Sequence, residues 1–452
     1  MRILLTVHQF FPDYRAGTEV LTLSVALELV RLGHEVHIFT GFPGAAELHE
    51  DERFDEYEFE GLHIYRFHHA YVPMSGQDSM IEVGHRNLLA LKHFKNIIEK
   101  FDPHLIHYFH LNRLGIELIN FAHIKKIPQF FTPTDFWMIC ATAQLMLGEG
   151  KYCSGPDKDA GNCVKHFARD KMKGKSATLI ELTPTILFQK LARITKNQPI
   201  IHYPMSNEVR ALTLRTERNI NALNKLQGVF VPNEFMENLF LRFGVDKRLL
   251  VHQPFGINLD KNNFDDVLEK ESSGITFGFI GTLASHKGCH VLIEAFRLLP
   301  YKDVFLEIYG NPAEFPDYCE KLQELALNSQ NISFKGIFPN KDINKVLKRF
   351  DALIVPSTWY ENTPLVIYSA QAARIPVVGS KLPGIEAAIE DGFNGLLFEA
   401  GNPKDLADKL TLFIQRANEG KHFSFIDPLS VESYVSKLTE IWGVSEIESF
   451  PL

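Results

Sequence analysis

Cysteine is scarce, with five in 452 residues at positions 140, 153, 163, 289 and 319. So sparse and odd a set argues against the disulfide framework of a small secreted protein. Positive charge is not in excess either: 47 Lys and Arg stand against 55 Asp and Glu, a net charge of −8. A dedicated nucleic-acid binder would carry the opposite sign. No uninterrupted apolar run approaches the ~20 residues of a membrane span. The opening MRILLTVHQFF lacks the cleavage site and long apolar core of a signal peptide, and Ile3 to Val7 reads as a buried strand. The expectation is a soluble cytoplasmic protein. A dinucleotide fingerprint is missing too, because Gly17 is the sole glycine between the first strand and the first helix.

What is present is strand and helix in alternation, twice. The length favours two domains. Ile3–Val7, helical spacing over Thr18–Leu32 and a strand from Glu35 to Thr40 make a βαβ unit at the start. The acidic run Glu47–Glu60 reads as a solvated loop. A strand at Gly61–His68, a helix at Asn87–Phe101, strands at Leu105–His110 and Pro128–Thr132, and a strand at Gln227–Pro232 continue the pattern. The acidic, lysine-rich stretch 259–273 reads as a linker. From Ile275 the alternation resumes. Within Asp351–Glu399 two apolar strands flank a helix, for which Thr363 is the expected N-cap and Pro364 the first helical residue. Its N-terminus opens on the loop Ser357–Thr363, and such a helix start beyond a parallel strand favours an anion. The terminal segment Val431–Trp442 has helical spacing outside this alternation.

One stretch interrupts the first domain. Residues 140–165 are poor in apolar side chains, and Cys140, Cys153, Cys163 and His166 offer a possible zinc set. The irregular spacing favours a surface insertion with ordinary thiols. Lys165–Asn197 is amphipathic and basic. It suits either a helix packed on its own domain or a peripheral contact with a membrane or lipid-linked substrate.

With GTLASHKG at 281–288, PSTWYEN at 356–362 and GFNGLLF at 392–398, the chain resembles the retaining GT-B glycosyltransferases of family four, the group 1 glycosyl transferases. Gly17-Thr18-Glu19 before a helix and VPNEFMENLF before the linker extend the resemblance over most of the chain. It implies an α/β fold of two Rossmann-like doubly wound domains facing a cleft. The implied organisation is an acceptor-side domain at 1–258 with an insertion near 140–197, a nucleotide-sugar domain at 274–428, and a helix at 429–452 crossing back to the first domain. It also implies hexosyl-type transfer from a nucleotide sugar to a carbohydrate or lipid-linked hydroxyl, in the cytoplasm or at the inner membrane face, without a cofactor or catalytic metal.

The residues themselves fit that chemistry. Lys287, between Gly281 and Gly288, would neutralise a diphosphate, and Glu361 would accept sugar hydroxyls. The resemblance adds Asp135 in a polar catalytic role. Candidate substrate contacts are Gly17, Thr134, Thr282, Asn362, Thr363, Leu365, Ser369 and Gly384, with His110, at a strand end, and His286, in a strand-to-helix loop, as the two histidine ligand candidates. Three positions depart from the family pattern. Ser369 stands where a second glutamate is usual, Thr282 where many members carry arginine, and Thr134 where Thr-x-His-Asp supplies a histidine. The alternative these departures raise is a weakened GT-B scaffold that partners an active transferase.

Overall fold

In the computed structural model, β1 (Arg2–Val7) is buried along nearly its whole length, and a parallel sheet grows outward from both its edges. The structure describes residues 1–147, 150–198, 200–259, 274–327 and 329–443. They divide into two units, Met1–Gln253 and Pro254–Leu452. In the first, β2 (Glu35–Pro43), β3 (Phe54–Phe59), β4 (Leu62–His69), β5 (Leu105–Tyr108), β6 (Gln129–Phe131), β7 (Gly228–Val231) and β8 (Leu250–His252) join β1 in the order β3-β4-β2-β1-β5-β6-β7-β8. Every pairing is parallel except β3 with β4. The chain moves out from β1 to one side, then returns to place β5 against its other edge. That reversal is the sheet's topological switch point.

The second unit repeats the logic. β9 (Ile275–Ile280), β10 (Val304–Tyr309), β11 (Ile332–Gly336), β12 (Ala352–Val355), β13 (Val377–Ser380) and β14 (Gly395–Phe398) form a six-stranded sheet in the order β11-β10-β9-β12-β13-β14, all parallel. Its switch point lies between β9 and β12. Apolar clusters cover the sheet, one around Phe277, Leu306, Leu396 and Phe413, another around Phe350, Leu353, Ile367 and Ile385. Strands buried this thoroughly need the near-continuous apolar sequence they have.

Some expectations change. The acidic run holds a short helical turn at Glu50–Glu52 and the strand β3, antiparallel to β4, instead of a loop throughout. Its charges are consumed by cross-strand pairing: Asp55 lies opposite Arg66, which donates to it at 2.8 and 2.7 Å. Thr363 does not cap the next helix, which spans Leu365–Ala372 with Pro364 at the N-cap position. The Thr363 hydroxyl instead donates to the Asn362 carbonyl at 2.6 Å. Two long helices, Ser206–Leu223 and Pro403–Asn418, had no counterpart in the sequence reading. The expected linker lies outside the described residues from 260 onward. The expected terminal helix is present at Val431–Ile441, and the Val431 N–H donates to the Ile257 carbonyl at 2.8 Å. Among the described residues no helix is long and apolar enough to cross a membrane.

Candidate active site

Each unit gathers polar side chains at the switch point of its own sheet. In the second unit, β9 runs into Gly281 and Thr282, a helical turn Ser285–Lys287 follows, and Gly288 then opens the helix Cys289–Arg297. The neighbouring β12 runs into the loop 356–364. The two loops interlock: the Thr358 N–H donates to the His286 carbonyl at 2.9 Å. Gly288 has φ +72°, and a Cβ there would stand 1.8 Å from the Pro356 carbonyl oxygen. Gly384, in the short helical segment after β13, is pressed as closely, with its would-be Cβ 2.0 Å from the Glu361 carbonyl oxygen. Three loops therefore converge on Glu361.

The Glu361 carboxylate is buried, and its Oε1 accepts three hydrogen bonds: from Lys287 Nζ at 2.7 Å, Ser357 Oγ at 2.6 Å and Trp359 Nε1 at 2.8 Å. Burial pushes this carboxyl up, but the Lys287 ammonium and the three donors outweigh it and hold the group below the usual carboxylate range. Lys287 is partly open to solvent and lies over the Trp359 ring at 5.0 Å. The His286 ring stands 4.5 Å from the same indole. Burial and the adjacent Lys287 ammonium lower His286 to about 4, so its imidazole is neutral near pH 7. The arrangement is an ionised carboxylate beside a partly accessible cation, at a place where two helices begin.

The first unit's cluster stands on β1, β5 and β6. His8 follows β1, and its ring lies 4.1 Å from that of His110, just beyond β5. His110 Nε2 contacts Asp135 Oδ2 at 2.9 Å, while its Nδ1 accepts the Asn112 N–H at 3.1 Å. With Nδ1 an acceptor, Nε2 carries the proton and donates to Asp135. The Trp137 N–H donates to the other carboxylate oxygen at 2.7 Å. Asp135 is thus fixed in orientation and remains partly exposed. Both nitrogens of His110 are thus engaged within the protein, one by Asp135 and one by the Asn112 N–H. Thr134 Oγ1 donates to the Phe109 carbonyl at 3.4 Å. Glu19 is fully buried, and neither carboxylate oxygen has a well-formed hydrogen bond. Burial drives its pKa up to about 7, with the Gln9 side chain and nearby N–H groups pulling weakly the other way.

Of the residues anticipated from sequence, Lys287, Glu361, His286, Gly384, Asn362 and Thr363 come together in one unit, and Asp135, His110 and Thr134 in the other. Gly281 and Thr282 lie half-buried at the end of β9, and Leu365 opens the helix after Thr363. Gly17 is exposed at the start of helix Gly17–Arg31. Ser369 turns to its own helix, donating to the Leu365 carbonyl at 3.3 Å. Ser357 and the Trp359 N–H had not been anticipated as partners of Glu361. Nothing in their spacing announces it, although both sit within four residues of that glutamate. The cysteine region assembles no group of three or more metal ligands among the described residues. His166 pairs with Asp170 at 3.1 Å, and burial pushes the Cys153 and Cys163 thiols up.

Two doubly wound parallel-sheet units in one chain, each with polar groups at its switch point, are the hallmark of the GT-B class. Solved structures agree on the fold. Sucrose-phosphate synthase from Thermosynechococcus elongatus superposes with a TM-score of 0.64 at 16% identity, covering 99% of this chain and 100% of that one. Anabaena HepE in complex with UDP and glucose gives 0.61 at 16% identity, covering 98% and 99%. In sequence, residues 15–146 match the model of Glycosyltransferase Family 4, and residues 260–424 match that of Glycosyl transferases group 1. The chain belongs to the group 1 glycosyl transferases. A D-inositol 3-phosphate glycosyltransferase of Corynebacterium urealyticum is 32% identical over 30% of this chain and 34% of its own length. The N,N'-diacetylbacillosaminyl-diphospho-undecaprenol alpha-1,3-N-acetylgalactosaminyltransferase of Campylobacter jejuni is 29% identical over 43% of this chain. The matches span 34% and 54% of the lengths of these two relatives.

Proposed function

We propose that the protein moves a hexosyl group from a nucleotide-sugar donor to a hydroxyl of a carbohydrate or lipid-linked acceptor, with retention of anomeric configuration. The observation that carries this reading is the 2.7 Å contact of Lys287 with a buried, ionised Glu361 at the switch point of the second sheet. On this reading the donor diphosphate draws the Lys287 ammonium toward itself, and backbone N–H groups near Thr363 and Leu365 add to the anion site. Glu361 accepts hydrogen bonds from the sugar. The bond from the anomeric carbon to the phosphate oxygen breaks as the bond to the acceptor oxygen forms on the same face. The acceptor's proton passes to the departing phosphate, whose growing charge Lys287 stabilises without a metal ion. Asp135, held by His110 and the Trp137 N–H, orients the acceptor.

The relatives support the choice of substrates. The Campylobacter enzyme's name specifies a sugar acceptor on diphospho-undecaprenol, and HepE has been solved with UDP-glucose. Thermal-shift and calorimetric screening against nucleotide diphosphates and nucleotide sugars, with EDTA present, tests the reading. A true donor at ~100-fold its Kd adds about 2.7 kcal/mol to stability. Lys287→Ala and Glu361→Ala should each remove most of that gain. If no nucleotide sugar stabilises the wild type, or if stabilisation survives both substitutions, the proposed donor site is wrong.

A further inference from the structure

The interrupting segment folds into three helices, Gly161–Lys171, Lys175–Leu182 and Thr185–Asn197. Its inner face has a small core of its own, in which Val164 and Ala192 pack with Val209 and Leu212 of helix Ser206–Leu223, and Phe167 and Phe188 close the edge. Packing on its own domain is therefore satisfied. The outer face is nevertheless apolar: Leu179 and Leu182 are 68% and 76% exposed, Ile186 and Leu187 53% each, and Ile194 50%. On helix Thr185–Asn197, residues 186, 187, 190 and 194 fall on one side, opposite the buried Ala192 and Thr195. That many large aliphatic side chains left in water within one short segment require a covering partner.

Charge identifies the partner. Lys165–Asn197 holds eight Lys and Arg against two acids, within a chain whose net charge is −8. Arg169 is engaged by Glu181, Arg193 by Asp159 and Lys196 by Glu217. Lys173, Lys175 and Lys190 are exposed with no acidic partner among the described residues, beside the aliphatic face. Protein interfaces favour aromatic residues and arginine and are depleted in lysine. Here the exposed face is aliphatic and its unpaired cations are lysines. That combination suits a bilayer interface, where aliphatic side chains enter the acyl boundary and lysines reach anionic headgroups.

We propose that helices Lys175–Leu182 and Thr185–Asn197 form a docking surface for an anionic lipid bilayer. The surface shares no residue with either switch-point cluster and does not depend on the transfer reading. The test is co-sedimentation of the full chain with vesicles of phosphatidylglycerol and phosphatidylcholine, beside vesicles of phosphatidylcholine alone. Binding should require the anionic lipid and weaken with salt. The Lys173→Gln/Lys175→Gln/Lys190→Gln variant should bind on the order of 100-fold more weakly, about 5-fold per lysine. Leu179→Ser/Leu182→Ser/Ile186→Ser should also lose binding while its melting temperature is kept, since these side chains are exposed. Absence of binding, equal binding to both vesicles, or binding unaffected by either variant overturns the proposal. So does a wild type that is dimeric by light scattering and becomes monomeric on the serine substitutions, which would give the face to a second copy. Nucleotide binding measured on the same samples separates the two readings, because a protein that binds donor but no vesicle disproves only the docking surface.

Discussion

A single oxygen, Oε1 of Glu361, receives an ammonium, a hydroxyl and an indole N–H. Three donors on one buried atom stabilise its negative charge. Trp359→Phe keeps the ring and removes the N–H. The lost hydrogen bond to a charged group should cost about 1.5–3 kcal/mol at pH 7. The cost should shrink in acid, because a carboxyl held low in the folded state contributes stability above its unfolded pKa and loses it as pH falls through the folded value. Chemical denaturation of both proteins at pH 7 and near pH 4 checks this, and an unchanged gap would mean the indole does not stabilise the carboxylate. Lys287 and Glu361 were legible in the sequence because each occupies a strand-to-helix loop, where a cation or an acid has an evident use. Their joining was less so. The indole's contribution depends on the loop's path from Ser357 to Glu361, and Glu19's burial on packing that its helical position alone does not reveal.

Among elements, the loops around Glu361 are held by close backbone approach. Gly288 and Gly336 share φ +72°, but a Cβ at Gly336 meets nothing within 4 Å, whereas at Gly288 it strikes the Pro356 carbonyl. Gly336→Ala should therefore cost only the left-handed conformational term, about 1–2 kcal/mol. Gly288→Ala should cost about 1–3 kcal/mol more, from the steric conflict with the second loop. Equal costs in equilibrium unfolding would show that the loops are not tightly interlocked. The same contrast between local and non-local causes explains which elements could be read in advance. Helix Glu234–Phe243 could be, since Asn233 accepts the Met236 N–H at 2.9 Å and the signal is contained in four residues. Strand β3 could not. Its acids look like a solvated run until β4 is beside them, where Asp55 meets Arg66 and Glu56 lies 2.9 Å from His63. Such charges on an edge strand also discourage pairing with another chain.

At the scale of the molecule, neutral histidines, buried or half-buried, couple stability to pH, and they are unevenly shared between the units. In the first unit, burial lowers His37 to about 4 and His69, His85 and His107 to about 3, and holds His8 well below its ordinary value. In the second, His286 falls to about 4, and His290 is also lowered. Between the ordinary histidine value near 6.5 and these depressed values, the unfolded chain binds protons that the folded chain refuses, so stability falls as the solution is acidified. Calorimetry from about pH 7 to pH 4.5 should show the first unit's transition descending faster than the second's. Parallel descent would contradict the assignment of these histidines as neutral. Glu19 acts with the opposite sign. Raised to about 7, it keeps a proton in the folded state that the unfolded chain releases above about 4.5, so its contribution weakens as pH climbs between those values. Glu19→Gln removes that titration without removing the histidines. The stability of this variant relative to wild type should therefore rise by about 3 kcal/mol between pH 4.5 and pH 8, with the acid limb of the first unit unmoved. A difference that stays constant across that range would mean the Glu19 carboxyl ionises in the folded protein much as it does in water, and that its buried surroundings supply the hydrogen bonds it now lacks.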